Sequence, residues 1–456
     1  MGLSKTDSEI LLRDKPEVGR EFIRALGKKL TPTPTLAGKI DTHKAPTTPE
    51  EKRRQKGQLK VRGGFADMQA RLRHLSKNRP FAVKPAGTPG REVWMNVAMD
   101  GTNRWSSSYI HCTVSPAFQK DQDLASWWVV KGAEKWKALR TVAQEMNASE
   151  QLARAGQKGQ VYLTEEDRME EILFFLLGDG KGQTCMAGCS GFSATAENGC
   201  VCHVCGESGP AINEAFGGWD RVAQRAFALG LPFTAVMEFI PPEQRVPDFG
   251  LHGVQRMLLC ALTGMPGLMK LAHPRKSQKD CEAELQVILD VARLAAKTRS
   301  QEELDGEKKD KKQTLRIEAT ASLWLMKTDP DTGVKRWESL LVGFNNTALD
   351  AWFAGFALTC RMAWQSAPFT RAKLEAMLVA LREMGRVHRD ILGFGVTLWS
   401  HTWIDHMYAY AYKWKILSCF SCFRMEGSHQ GLKRDLAHSG GVSNAPPPPR
   451  VSAEPV

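Results

Sequence analysis

The apolar run EILFFLL at 171–177, which ends at Gly178-Asp179, constrains the fold more than any other stretch of the chain. A short apolar run bounded by glycine predicts a β-strand that is buried on both faces. Open α/β sheets bind ligands at the carboxyl ends of their strands, which is where Asp179 would lie. The sequence therefore predicts an α/β fold with a carboxylate at a ligand-binding edge.

A second strand, at 92–100 (EVWMNVAMD), alternates apolar and other residues and ends in Asp100-Gly101. Residues 107–114 would pair with it as a hairpin, and residues 126–130 form a possible third strand. A single aspartate at a strand end most often forms a turn or caps a helix. Two such aspartates, Asp100 and Asp179, also suit a shared metal site, so both interpretations stay open.

Two pairs of metal-ligating residue types lie far apart in the chain. Cys202-x-x-Cys205 has the spacing of half a zinc site, and His401-x4-His406 places two histidines just over one helical turn apart. Two alternatives stay open. The cysteines could be a redox-active Cys-x-x-Cys pair, and the histidines could simply line one face of a helix without binding a metal. Three further cysteines crowd the same region and could replace a ligand: Cys185, Cys189 and Cys200.

The positive charge of this 456-residue chain is concentrated at its N-terminus. The formal net charge is +12, and residues 1–90 hold 20 Lys and Arg against nine Asp and Glu. A basic arm, which includes Arg53 and Arg54, favours a polyanionic partner such as nucleic acid, although a solvated tail has the same composition. The start of the chain lacks the pattern of a signal peptide, which favours reduced cysteines, and no membrane span is expected.

The long stretch after the Cys pair has mostly helical patterns. Helices are predicted at 212–229, from Asp248 as N-cap to about 262, and at 280–297, 348–364 and 372–387, with 315–327 as helix or strand. Near the N-terminus, 8–30 predicts a helix and 31–50 a Thr/Pro-rich linker, and 131–146 predicts another helix. His111 and His252 are interpreted as structural, and the aromatic run at 408–414 as a core stripe.

Five short motifs occur along the chain in an order that resembles a known pattern. They are Asp100-Gly101, Gly178-Asp179, Cys202-x-x-Cys205, His401-x4-His406 and Glu426-Gly427. It is that of the DDE transposases of the Transib group and of the catalytic subunit of the V(D)J recombinase, which shares their core. The resemblance implies a ribonuclease-H-like catalytic core with a large α-helical insertion, stapled by zinc.

The resemblance also assigns roles to these residues. Asp100, Asp179 and Glu426 would hold two catalytic Mg²⁺ or Mn²⁺ ions, and the Cys and His pairs one structural Zn²⁺. Lys433 and Arg434, with the basic arm, would contact DNA phosphates. The implied domains are a basic, partly disordered arm (1–90), the first part of the core (91–200), a zinc-binding helical insertion (201–415), a core helix carrying the third acid (416–440) and a disordered tail (441–456).

The implied activity is a transposase or recombinase that cuts and joins double-stranded DNA at transposon ends and target sites, in the nucleus and as a homodimer. The pattern departs from its relatives after Glu426, where Ser428-His429-Gln430 replaces a common asparagine, and residues 1–90 contain no zinc finger. Two alternatives therefore stand. One is a domesticated, inactive zinc-containing DNA-binding protein, and the other is a ribonuclease-H-like nuclease of another kind.

Overall fold

The computed structural model describes residues 36–40, 59–62, 84–89, 92–104, 107–118, 125–131, 161–162, 169–170, 172–187, 201–217, 240–291, 296–299, 314–317, 319–341 and 344–423. The helices predicted at 8–30 and 131–146 and the tail at 441–456 lie outside these residues, apart from Lys131. The described part combines helices with a mixed sheet, so the broad α/β prediction is confirmed.

The strands and helices of the described residues are numbered in chain order. The strands are β1 (Leu36–Ile40), β2 (Leu59–Arg62), β3 (Val93–Arg104), β4 (Ser107–Pro116), β5 (Ala125–Lys131), β6 (Val161–Tyr162), β7 (Met169–Glu170), β8 (Ile172–Leu177), β9 (Ala296–Arg299) and β10 (Thr314–Ile317). The helices are α1 (Gly180–Met186), α2 (Gly209–Ala215), α3 (His252–Ala272), α4 (Gln278–Val291), α5 (Ala319–Leu325), α6 (Thr347–Trp364), α7 (Arg371–Asp390), α8 (Leu398–His401) and α9 (Met407–Trp414).

The main sheet has six strands in the order β1-β2-β5-β4-β3-β8. Antiparallel pairing joins β3 to β4 and β4 to β5, which confirms the predicted hairpin and third strand. β8 pairs with β3 in parallel, from Val93 opposite Ile172 to Ala98 opposite Leu177. Five of the six β8 side chains are buried and the sixth, Leu173, is partly buried, as expected of a strand covered on both faces.

One hydrophobic core joins the sheet to the helices. Trp94 and Phe175 on the sheet belong to the same buried cluster as Trp352 on α6 and Trp403 after α8. The helices α6 and α7 pack side by side, and α3 lies against α8. The predicted helical insertion is therefore packed on the sheet through a continuous apolar interior. Among the helices of the described residues, none has the length and apolar character needed to cross a membrane.

The segment after α9, which the resemblance assigns to the core, packs on the sheet. The ring of Phe420 lies 4.7 Å from that of Phe175 and is stacked on that of Trp94 at 5.9 Å. Trp414 meets the same two rings edge-on, and the Asn96 side-chain amide donates a 2.7 Å hydrogen bond to the Cys419 carbonyl. The chain just before Glu426 is therefore held on β3 and β8.

Several element boundaries differ from the sequence predictions. α3 begins at His252 and continues to Ala272 through Pro266, which removes one backbone N–H without ending the helix. Helix α4 ends at Val291, and the predicted last residues of that helix lie in β9. The ambiguous segment 315–327 contains both possibilities, β10 and then α5.

For the remaining helices and the N-terminal strands, some predicted ranges match the structure and others do not. α6 and α7 match their predicted ranges, whereas α2 covers only Gly209–Ala215 of its segment, whose remainder from 218 on is outside the described residues. The linker interpretation of 31–50 was wrong for Leu36–Ile40, because β1 pairs there with β2 and so gains backbone hydrogen bonds that composition does not reveal.

We expect Phe420→Ala to lower the free energy of unfolding by about 3–5 kcal/mol, because it removes a buried ring that packs on Trp94 and Phe175. The measurement is chemical denaturation followed by tryptophan fluorescence. Phe423→Ala is the matched control three residues later; that ring is 45% exposed, and its removal should change the free energy by less than about 0.5 kcal/mol. Equal effects of the two substitutions would contradict docking of this segment on the sheet.

Candidate functional site

The first half of the candidate metal centre is a tight turn at 201–207. The Gly206 N–H donates to the Cys202 carbonyl at 2.8 Å, and the N–H groups of Val201 and Cys202 both donate to the Glu207 carbonyl. Gly206 has φ +73°, in the left-handed region that glycine adopts without strain. This turn presents Cys202 and Cys205 from one short, rigid loop, and both side chains are buried.

The second half lies where α8 passes into α9 through a π-helical turn, Thr402–His406. In a regular α-helix, residues five apart are rotated by about 140° beyond a full turn and would diverge. A π turn closes between residues five apart, so His401 and His406 return to the same side. Their Nε2 atoms lie 3.0 Å apart, and a capping box between Thr397 and Ser400 fixes the start of α8.

The four side chains converge on one point. Cys202 Sγ lies 3.5 Å from His406 Nε2, and Cys205 Sγ lies 3.4 Å from His401 Nε2. All four ligand atoms lie within 4.8 Å of one another. A tetrahedral zinc ion with ordinary bond lengths separates its ligand atoms by about 3.3–3.8 Å, so this set fits such an ion with little adjustment.

The predicted convergence of Cys202, Cys205, His401 and His406 is therefore confirmed, and the group can hold a structural metal ion such as zinc. Four protein ligands fill a tetrahedral shell and leave no open position for a substrate or a water. Cys189 and Cys200 lie outside the described residues, as does the side chain of Cys185.

Burial and mutual contacts shift the pKa values of three of the four candidate ligands. Burial, together with the nearby His401 and His203, lowers the pKa of His406 well below its ordinary value. A hydrogen bond with Cys202, together with burial, raises the pKa of the Cys205 thiol. Burial alone would lower the pKa of His401, but Asp405 and Cys205 outweigh it and raise the pKa to about 9. A bound cation would compensate the charge of buried thiolates and would take the place of the proton on His401.

Asp405 positions one of the candidate ligands, and the sequence analysis missed it. Its Oδ2 accepts a 2.7 Å hydrogen bond from His401 Nδ1, which leaves the Nε2 lone pair for a metal. Its Oδ1 accepts from the backbone N–H of Gly217, which has φ +74°. The signal in the sequence was the His-x-x-x-Asp spacing, which places two side chains on one helix face.

The two predicted carboxylates Asp100 and Asp179 belong to neighbouring parts of the sheet, β3 and the residues just after β8. Residues 93–98 of β3 each lie opposite the β8 residue 79 positions later, and the last such pair is Ala98 with Leu177; the same register continued for two residues would bring position 100 opposite position 179. A Cβ added to Gly178 would lie 3.3 Å from the Met99 carbonyl oxygen, so the two backbones stay close at this end. The predicted strand end at Asp100-Gly101 was wrong, because the backbone pairing with β4 continues β3 to Arg104; Asp100 pairs with His111 of β4, and its side chain is outside the described part.

Asp179 also has the structural role considered in the sequence analysis. Its Oδ1 accepts a 2.6 Å hydrogen bond from the Gly182 N–H, so it caps the start of α1. The side chain is only partly buried. The remaining predicted site residues lie outside the described residues, namely Glu426, Lys433, Arg434, Arg53 and Arg54.

Two further sequence interpretations can be compared with the structure. Tyr410 and Trp414 of the aromatic run are buried and donate hydrogen bonds to the Arg245 and Glu243 carbonyls, as expected of a core stripe, whereas Tyr412 is exposed. Asp248 accepts from the N–H groups that precede and open α3, although it lies four residues before His252 and is not the N-cap residue itself.

No family model matches this chain, and no curated protein sequence matches it either. Any functional assignment therefore depends on the arrangement of its own residues.

We expect the purified protein to contain tightly held zinc and Cys205→Ser to contain one zinc fewer per chain, because that substitution removes a thiolate from a fully buried set. The measurement is elemental analysis after gel filtration in a buffer of fixed free zinc. Cys281→Ser is the control, since Cys281 is buried in α4 outside this group. Unchanged zinc content in Cys205→Ser would contradict the assignment.

Asp405→Asn should weaken zinc binding about 10–100-fold while leaving all four ligands in place, because loss of the carboxylate removes the partner that orients His401. Competition with a coloured zinc chelator measures this affinity. Asp390→Asn is a matched control at an exposed pair with Arg389 and should leave the affinity unchanged. An affinity equal to that of the wild type in Asp405→Asn would mean that the carboxylate does not position the histidine.

Proposed function

We propose that this chain is a DDE-type DNA transposase or recombinase with a ribonuclease-H-like core. Asp100, Asp179 and Glu426 would be its catalytic carboxylates, and the Cys2His2 group would hold a structural zinc ion. The observation that carries the proposal is the register of β3 and β8, which pairs Ala98 with Leu177 and, continued for two residues, would bring position 100 opposite position 179 at the carboxyl end of β8.

The order of the strands supports the same core. Three antiparallel strands, β5-β4-β3, are followed by β8 parallel to β3. Beyond β8, Arg245 forms an isolated parallel bridge with Leu176, so the chain begins a further parallel position at that edge. A ribonuclease-H-like sheet is expected to contain a hairpin and a third antiparallel strand, with parallel strands added next to the first strand of the hairpin.

The third acid is within reach of this edge. The last described residue is Phe423, and Glu426 follows three positions later, so at most about 11 Å of chain separates their Cα atoms. Phe420 packs on Trp94 and Phe175, and the two-residue alternation of strands assigns position 100 to the face of Trp94 and Asn96. The segment that leads to Glu426 therefore runs over the face to which position 100 belongs.

The chemistry fits three carboxylates brought together in this way. Two Mg²⁺ or Mn²⁺ ions held by them would stabilise the attacking and leaving oxygens of a phosphodiester displacement. In the proposed reaction a water attacks a DNA phosphodiester and frees a 3′-hydroxyl, which then attacks a second phosphodiester. Lys433, Arg434 and the basic arm with Arg53 and Arg54 would hold the phosphate backbone. Two DNA ends handled together imply a homodimer, and a DNA substrate implies the nucleus.

The test combines metal binding with DNA cleavage. We expect the wild-type protein to bind Mn²⁺ and to nick supercoiled plasmids carrying randomised inserts, with Asp100→Asn and Asp179→Asn each slowing nicking by about 10³-fold or more. Asp350→Asn, on α6, is the control and should retain both activities. Mn²⁺ binding is measured by electron paramagnetic resonance and nicking by gel electrophoresis.

The outcomes separate the alternatives. Recovery of joined strand-transfer products supports a transposase, whereas cleavage without joining indicates another ribonuclease-H-like nuclease. Zinc-containing protein that binds DNA but neither binds Mn²⁺ at Asp179 nor cleaves DNA would identify the domesticated, inactive alternative. Nicking that persists in Asp179→Asn would contradict the assigned site.

A further inference from the structure

A second group of metal-ligating side chains lies where the segment after α9 crosses the start of α3. Asp248, His252 and Cys422 each offer a ligand atom, and these atoms lie within 4.8 Å of one another. Asp248 and Cys422 are buried, and His252 is mostly buried. None of the three belongs to the Cys2His2 group.

We propose that Asp248, His252 and Cys422 form a second zinc site, which fastens the segment leading to Glu426 onto the beginning of α3. This proposal does not depend on the proposed function, because it concerns the binding of an ion by described residues alone.

The geometry of the acid and the imidazole suits an ion. His252 Nδ1 lies 2.7 Å from Asp248 Oδ2, and one proton is shared across that distance. Asp248 is held in place by backbone N–H groups of Gly250 and Leu251 on Oδ1 and of His252 on Oδ2. A cation can take the place of the shared proton between Oδ2 and Nδ1.

The Cys422 thiol can lie close to Asp248 and His252 because residue 250 is a glycine. A Cβ at Gly250 would lie 2.8 Å from Ser421 Oγ, 2.9 Å from Ser421 Cβ and 3.6 Å from Asp248 Oδ1, so any larger residue would collide with the Ser421 side chain. This close approach brings the neighbouring Cys422 to the carboxylate and the imidazole. A glycine at the contact therefore permits the three-residue group to form.

The donor set selects the ion. Thiolate and imidazole ligands together favour zinc over the hard cations Mg²⁺ and Ca²⁺. One carboxylate and one thiolate balance the charge of Zn²⁺, which a buried site requires, and the thiol proton is released to solvent. Three protein ligands leave one tetrahedral position, as in zinc sites that keep a water. The buried Ser421 Oγ, which has no hydrogen-bond partner among the described residues, lies beside Asp248 and can bond such a water.

The site would act on the position of the third acid. Cys422 precedes Glu426 by four residues, and Asp248 lies just before α3, the helix that packs against α8 beside the Cys2His2 group. An ion here would join the two ends of the helical insertion a second time, after the first crossing at the Cys2His2 group. The two sites would therefore fix the segment both before and after α9.

Zinc per chain is the decisive measurement, on full-length protein equilibrated in buffers of fixed free zinc. We expect two zinc ions in the wild type and one in Cys422→Ala. Cys419→Ala is the matched control, three residues earlier in the same segment and outside both groups, and should retain two. A wild type that saturates at one zinc, or a Cys422→Ala protein that retains two, would overturn the proposal.

A second variant and a spectroscopic measurement distinguish the loss of a zinc ligand from a loss of zinc that is caused by misfolding. His252→Gln keeps a polar side chain at a partly accessible position and should also lose one zinc, with an unfolding transition that remains cooperative. In cobalt-substituted protein, Cys422→Ala should lower the thiolate-to-metal absorption by about a third, since one of three thiolates is lost. Unchanged absorption would assign all bound cobalt to Cys202 and Cys205 and would contradict the second site. These results are independent of DNA cleavage, so failure of the catalytic proposal leaves them interpretable.

Discussion

The structure depends on the meeting of two sulfur atoms and two imidazoles that are separated by about two hundred residues of chain. Cys202 meets His406 across 204 positions, and Cys205 meets His401 across 196. Burying four such groups without a compensating charge is costly, and two of them titrate far from their ordinary range. A shared cation would offset this cost and cross-link the two parts of the chain, and closing so long a loop would remove many unfolded conformations.

The consequences of this crossing extend beyond the four ligands. It fixes the register of the π turn, and α9 continues directly from that turn. Tyr410 and Trp414 of α9 bond to the 242–245 segment, and Trp414 and Phe420 reach the rings of Trp94 and Phe175. A continuous path of packed aromatic side chains thus runs from the metal centre to the sheet edge. Displacing the histidines would move the segment before Glu426, because little in this path can adjust independently.

The sequence predicts the features of this structure that depend on local pattern. The alternation in β3 and the apolar run of β8 follow from burial, and the Cys-x-x-Cys and His spacings follow from ligand geometry. The sequence does not predict the π turn, because spacing alone does not distinguish it from an α-helix. The hydrogen bond from Asn96 to the Cys419 carbonyl joins residues 323 positions apart, and no local pattern records it. β1 is missed for a similar reason, since an edge strand pairs through its backbone.

Asp179 illustrates why a structural role and a chemical role need not compete. A carboxylate offers about four lone-pair positions, and the hydrogen bond from the Gly182 N–H uses one of them. That bond fixes the rotation of the side chain at the end of β8, which a metal ligand also needs. The β3–β8 register runs as far as Ala98 and Leu177, and two more residues in the same register would bring position 100 opposite position 179. The cap on Asp179 is therefore compatible with the metal-ligand role proposed for it, since the carboxylate keeps other lone-pair positions available.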